Sequence, residues 1–184
     1  MKRGARYIAI ASGPKGRDSR TILIGVIFRD GYIEGVLSGS VAVDGTDSTA
    51  MIIRMIEKSR FREQIRILVL NGIAIAGLNI TDPKSLERKL GTKVVLLNRK
   101  KQNPKELINA LRKFSISSGK NADRRIAIVS DYGKITPIKM SGVFVQCSLE
   151  PHYARKFAER AFEALRVAHM IARGISTGES KGRL

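Results

Sequence analysis

One cysteine, two histidines and only 5% aromatic residues stand in a chain of 184, and each shortage closes off a chemistry. Cys147 alone forms neither an intrachain disulfide nor a cysteine-based zinc site, which suits a reducing cytoplasm; burial in an inert position is its expected role. His152 and His169 have no cysteine or acid at ligand spacing. His169 falls on the apolar side of the last helix, where a satisfied core histidine is expected rather than a general base. The scarce aromatics are not interleaved with the basic runs, so capture of single strands by base stacking has little support. No apolar run approaches the roughly 18 residues of a bilayer span, and no apolar signal core follows Met1-Lys2-Arg3-Gly4. A cytoplasmic protein with no membrane partner is expected. No G-x-S-x-G turn is present, and Gly13-Pro14-Lys15-Gly16 lacks the second half of a phosphate-binding loop.

Acidic residues are also few. Against 16 Asp and Glu stand 34 Lys and Arg, a net charge of +18. Residues 1–20 carry six bases and one acid, a net of +5, whereas residues 21–50 carry one base and four acids, a net of −3. An excess of this size points first to nucleic acid, through Lys2, Arg3, Arg6, Lys15, Arg17, Arg99, Lys100 and Lys101; Arg124-Arg125 reads as a solvated run. A heat-adapted surface would give the same excess. The apolar fraction of 43% is ordinary for a globular chain, and residues 1–184 are read as one domain.

The chain is organised around 67–70, an unbroken run of branched residues that reads as a strand buried on both faces and stops at Asn71-Gly72. Before it come three strands, at 7–11, 21–29 and 32–43, with Asp30-Gly31 as a tight hairpin turn between the second and third. A helix over 50–59 follows, with Asp47 or Thr46 as its cap. After the central strand the pattern predicts a helix at 85–90 stopped by Gly91, a strand at 93–98 and a helix at 103–114. A loop at 115–122 and short strands at 125–130, 134–140 and 142–147 come next. A long helix from Pro151 to about Arg173 and a Gly-containing tail close the chain. Three antiparallel strands followed by alternating strand and helix predict an α/β mixed sheet with helices on both faces, the order of the ribonuclease H-like fold.

Nucleases of that fold use two divalent cations held by converging carboxylates. Here the first strand ends in Ala11-Ser12 and the central strand in Asn71, with no acid at either. Asp44 and Asp47 are the acids nearest the expected site edge, and Glu150, Glu163 and Glu179 are more remote. Turn and cap roles are expected of Asp44 and Asp47 rather than ligation.

The motifs Val43-Asp-Gly-Thr-Asp-Ser-Thr49, Gln64-Ile-Arg66, Leu70-Asn-Gly-Ile-Ala-Ile-Ala-Gly-Leu-Asn79, Leu165-Arg-Val-Ala-His169 and Gly178-Glu-Ser180 resemble the archaeal family catalogued as domain of unknown function 99. That family is similar to endonuclease V, which recognises deaminated purine in nucleic acid. The resemblance implies the ribonuclease H-like fold and a site drawn from Asp44, Asp47, Asn79, Arg166, His169, Glu179 and Ser180, all of which match. It fails where the chemistry would sit. Ala11-Ser12 replace two aspartates, Asn71-Gly72 replace Asp-Gly, and Phe162-Glu163-Ala164 replace Pro-Glu-Pro. The expectation is therefore a catalytically degenerate endonuclease V-like protein that binds nucleic acid, DNA or RNA, and needs no cofactor. The alternatives are a Mg2+- or Mn2+-dependent phosphodiesterase of deaminated nucleic acid, ligating through Asp44 and Asp47, and a non-enzymatic assembly protein.

Overall fold

Residues 4–15, 18–140 and 142–180 are described by the computed structural model. Strands β1 (Arg6–Ser12), β2 (Arg20–Arg29) and β3 (Tyr32–Ala42) form the expected antiparallel meander. Asp30 and Gly31 turn its hairpin at φ 50° and 93°, the two left-handed residues that match the twist of the flanking strands. Helix α1 (Ser48–Glu57) leads to β4 (Ile65–Leu70), which lies parallel to β1. A small ribbon of β5 (Ala74–Ile75) and β6 (Asn79–Ile80) precedes α2 (Pro83–Leu90) and β7 (Lys93–Asn98), the latter parallel to β4. Then come α3 (Pro104–Ser118), α4 (Asp123–Tyr132), β8 (Ile138–Met140), β9 (Val143–Cys147) and α5 (Pro151–Thr177). The main sheet runs β3-β2-β1-β4-β7-β9-β8. This is the ribonuclease H-like mixed sheet expected from the order of elements.

Because side chains alternate along a strand, the sheet feeds two cores. Ile8 and Ile10 of β1 with Leu68 and Leu70 of β4 meet Ile52 and Ile56 of α1, Leu86 of α2, Leu111 of α3 and Val129 of α4. Tyr7, Ala9 and Ala11 with Ile67 and Val69 face α5 instead. There Ala154, Ala158, Ala161, Ala164, Ala168 and Ala172 repeat on one side of the helix and let its backbone lie close to the sheet. Tyr7 stacks on Phe28 and meets the edge of Phe157. No helix among the described residues is long and apolar enough to cross a membrane.

Several local expectations change. Residues 125–130 belong to α4 and not to a strand. The run Ile-Ala-Ile-Val suggested alternation, but Arg125, Val129 and Tyr132 are buried at helical spacing. Helix α3 continues to Ser118, because the hydroxyls of Ser117 and Ser118 bond back to the Phe114 carbonyl and only Gly119, left-handed at φ 66°, ends it. Of 134–140 only Ile138–Met140 is strand. Helix α5 runs on to Thr177, where the left-handed Gly178 stops it, so the expected tail is in part helix.

Candidate functional site

Strands β1, β4 and β7 run parallel, and β3 runs with them across the antiparallel β2, so all four end on one edge. Open α/β sheets bind ligands at such an edge. It gathers Ser12, the loop 43–47, Asn71 and Asn98. The C-terminal part of α5 returns to the same place. Gly13 sits so close to Ser176 that a Cβ would clash with its hydroxyl, and Asn71 Nδ2 lies 3.3 Å from His169 Nε2.

Ala11 is 3% exposed and belongs to the core under α5, so it presents nothing to the edge. Ser12 is half-buried at the strand end, and Asn71 is exposed. His169 is half-buried, with its Nε2 partnered by the Asn71 amide. Burial, with the Arg173 charge nearby, pulls its pKa below the ordinary histidine value. A neutral imidazole accepting at Nε2 from the Asn71 amide suits that environment.

Asp44 follows β3 in the left-handed region, at φ 54°. Its Oδ1 accepts from the Leu78 N–H at 2.8 Å and its Oδ2 from Lys15 Nζ at 2.6 Å. Gly77 packs against this carboxylate so tightly that any Cβ would strike it. Burial alone would raise the Asp44 pKa. Hydrogen bonds from Lys15 and Leu78, with the charges of Lys15 and Arg125, outweigh it and hold the carboxyl below its usual range. Asp47 is held by the Ala42 N–H at 3.1 Å, Asn79 Nδ2 at 2.8 Å and Arg20 Nη2 at 3.2 Å. Its pKa is also lowered, since the Asn79, Ala42 and Arg20 contacts outweigh a desolvation that would raise it. Although Asp47 occupies the cap position of α1, it makes no capping bond. Asn79 is fully buried and bonds the Ala42 carbonyl, Asp47 and the Ser48 N–H, which makes it a structural clamp on this loop.

A pair of hard divalent cations needs several carboxylates aimed at one point. The edge offers a hydroxyl, two amides and an imidazole, and its two acids are spent on cations and backbone amides. Among the described residues no three His, Cys, Asp or Glu side chains group as a metal would need. This donor set does not fit the metal pair.

The other expected site residues disperse. Arg166 folds along its own helix onto Glu163, at 2.5 Å. Glu179 and Ser180 follow the α5 cap, Glu179 exposed. Lys2, Arg3 and Arg17 lie outside the described residues. Arg6 sits at the opposite end of β1 and is paired with Glu34, which also takes Arg29. Lys15 is at the edge, bound to Asp44. Arg99, Lys100 and Lys101 leave the end of β7, with the Arg99 guanidinium 5.8 Å from the centre of the Phe162 ring. Asn71, Asn98, Arg99 and Phe162 border a cleft of about 140 Å³. Sequence reasoning missed Asn98, Arg20, Arg173 and the burial of Arg125; only the position of Asn98 at the end of a buried strand signalled it.

The family model described as Endonuclease dU matches residues 3–176. A UPF0215 protein of Methanopyrus kandleri is 33% identical over 193 residues, spanning 98% of this chain and 95% of that one. A UPF0215 protein of Archaeoglobus fulgidus is 31% identical, spanning 90% of this chain and 92% of its own length. Among solved structures, a protein of unknown function from Archaeoglobus fulgidus superimposes with a TM-score of 0.81 at 29% identity, over 92% of this chain and 97% of that one. Human ENDOV superimposes at 0.54 over 93% of this chain and 84% of its own, at 10% identity, a likeness of fold alone. By the extent of that family match and the similarity of these archaeal relatives, the chain belongs to the Endonuclease dU family.

Proposed function

We propose that this protein, with motifs like those of the archaeal family named above, binds nucleic acid at the basic strand edge without cutting it. In this reading it works in the cytoplasm, as one domain and with no resident cofactor. One observation carries the reading. Where a two-cation nuclease places acids, this chain has Ser12 and an Asn71 engaged with His169, and the nearest carboxylates are neutralised by Lys15 and Arg20. Beyond Lys15 and Arg20, whose charges those carboxylates take, the edge bears Arg99, Lys100, Lys101 and Arg173, an excess that favours polyanion binding over cation binding. Contacts of this kind would fall on phosphates and not on base edges, so sequence preference is expected to be weak. The test is a salt series on duplex and single-stranded DNA and RNA. Affinity is expected to fall with salt at a log–log slope of about −0.9 per phosphate contact on duplex. Tight binding indifferent to salt would contradict it.

The family's description favours a second reading, a Mg2+- or Mn2+-dependent phosphodiesterase of deaminated nucleic acid. It requires Asp44 to exchange Lys15 for a metal, and it is the reading that survives if Asp44→Asn abolishes a measured cleavage.

A further inference from the structure

On the face of the sheet opposite α5, a recess of about 330 Å³ opens between α1, α2 and α4. Ser12, Asn71 and His169 do not line it, and Thr46 of the loop 43–47 joins it to the strand edge. Three helix N-termini border it, through Thr49 of α1, Ser85 of α2, and Arg124 and Arg125 of α4. Two are already satisfied, since Asp82 accepts from the Ser85 N–H at 3.0 Å and Asn121 from the Asp123 N–H at 2.7 Å. The third is not. Asp47 makes no capping bond because its carboxylate is held elsewhere, and α1 has no acid in its first turn. The remaining first-turn N–H groups carry partial positive charge, which favours an anion.

Arg125 is the independent sign of a ligand. It is 3% exposed, yet among the described residues neither it nor the exposed Arg124 pairs with a carboxylate. Its Nη1 donates to the Asp44 and Leu78 carbonyls at 3.1 and 3.2 Å, and its guanidinium lies 5.0 Å from the centre of the Phe114 ring. Its Nε has no partner. A buried guanidinium bonded only to carbonyls and a ring has no carboxylate in direct contact, and the Asp44 charge near it is already taken by Lys15. Thr49 Oγ1 accepts from the Asp82 N–H at 2.9 Å, which leaves its own O–H to donate. The one acid at the recess, Asp82, caps α2.

We propose that this recess binds a phosphoryl group, through the Arg124 and Arg125 charges, the Thr46 and Thr49 hydroxyls and the Thr49 and Ala50 amides of α1. The group is either a backbone phosphate of nucleic acid or a free phosphate or small phosphate ester. The experiment is calorimetric titration of the full chain with inorganic phosphate at ionic strength fixed with NaCl, and with a DNA duplex in parallel. Saturable phosphate binding is expected, weakened about tenfold by Arg124→Gln, the effect of one lost charge-assisted contact. Arg124 is exposed, so its loss leaves the fold intact; Thr49→Val serves as a second variant. Lys58→Gln, at the far end of α1, is expected to leave phosphate binding unchanged. If Arg124→Gln also weakens the duplex, the source is the backbone; if only phosphate binding falls, it is a small phosphate. Failure of duplex binding with phosphate binding retained would defeat the proposed function and leave this site standing. No saturable binding above the chloride background, or an equal loss in Lys58→Gln, would overturn it.

Discussion

Asn79 lies on the second strand of a two-residue ribbon, fully buried, and its one amide joins the end of β3, the start of α1 and Asp47. Asn79→Ala would leave the buried Ser48 N–H without a partner and remove one donor from the part-exposed Asp47 carboxylate. It is expected to cost about 2–4 kcal/mol, read as a shift in the urea midpoint; a change within error would mean water replaces the amide. His169 sets a pH dependence. Its folded pKa is depressed, by burial and then Arg173, so between that value and the ordinary histidine value of about 6.5 the unfolded chain holds more protons than the fold. Stability is therefore expected to fall as pH drops below about 6.5, and urea midpoints at pH 7.5 and 5.5 in wild type and His169→Gln measure it. The variant should show the shallower dependence; equal slopes would contradict the assignment. Asp44 and Asp47 act in a separate, lower window, since depressed carboxyl pKa values stabilise above the unfolded range of about 4 and lose that contribution below it.

At the scale of elements, α5 shows how composition serves geometry. Ala161 is fully buried against the sheet, and Ala161→Leu is expected to destabilise by about 1–3 kcal/mol through overpacking, measured by thermal or urea unfolding; a stabilised variant would mean a cavity there. The strands were legible because their apolar runs are long and flanked by turn residues, as at 67–70 before Asn71-Gly72. Helix α4 was not, since a short Ile-Ala-Ile-Val run has no period of its own until Val129 and Tyr132 find their neighbours. The site was legible in part. Asp44 and Asp47 read as turn and cap residues, and both serve the loop, though Asp47 turns its carboxylate away from the helix it precedes. The pairing of Asn71 with His169 joins residues 98 apart, a separation that no local pattern encodes. Arg125 reads as half of a solvated dibasic run, and only the packing of α4 against the loop at Asp44 and Leu78 shows it buried.

For the whole molecule, a net charge of +18 leaves cations in excess of the acids that could pair with them. At the outer end of the meander Glu34 takes both Arg6 and Arg29. At the strand ends Lys15 and Arg20 take Asp44 and Asp47, whereas Arg99 meets a ring and the Arg173 charge lies near His169. In the proposed reading binding and cutting separate, because binding would need only this field, whereas cutting needs a cluster of acids that the described residues do not form. A single gel decides between them: a 5′-labelled duplex carrying one deoxyuridine or inosine, incubated with excess protein and Mn2+ and resolved under native and denaturing conditions. The account predicts a retarded complex and a full-length strand at every time point. A shortened strand that accumulates with time, disappears with chelator and is lost in Asp44→Asn would contradict it.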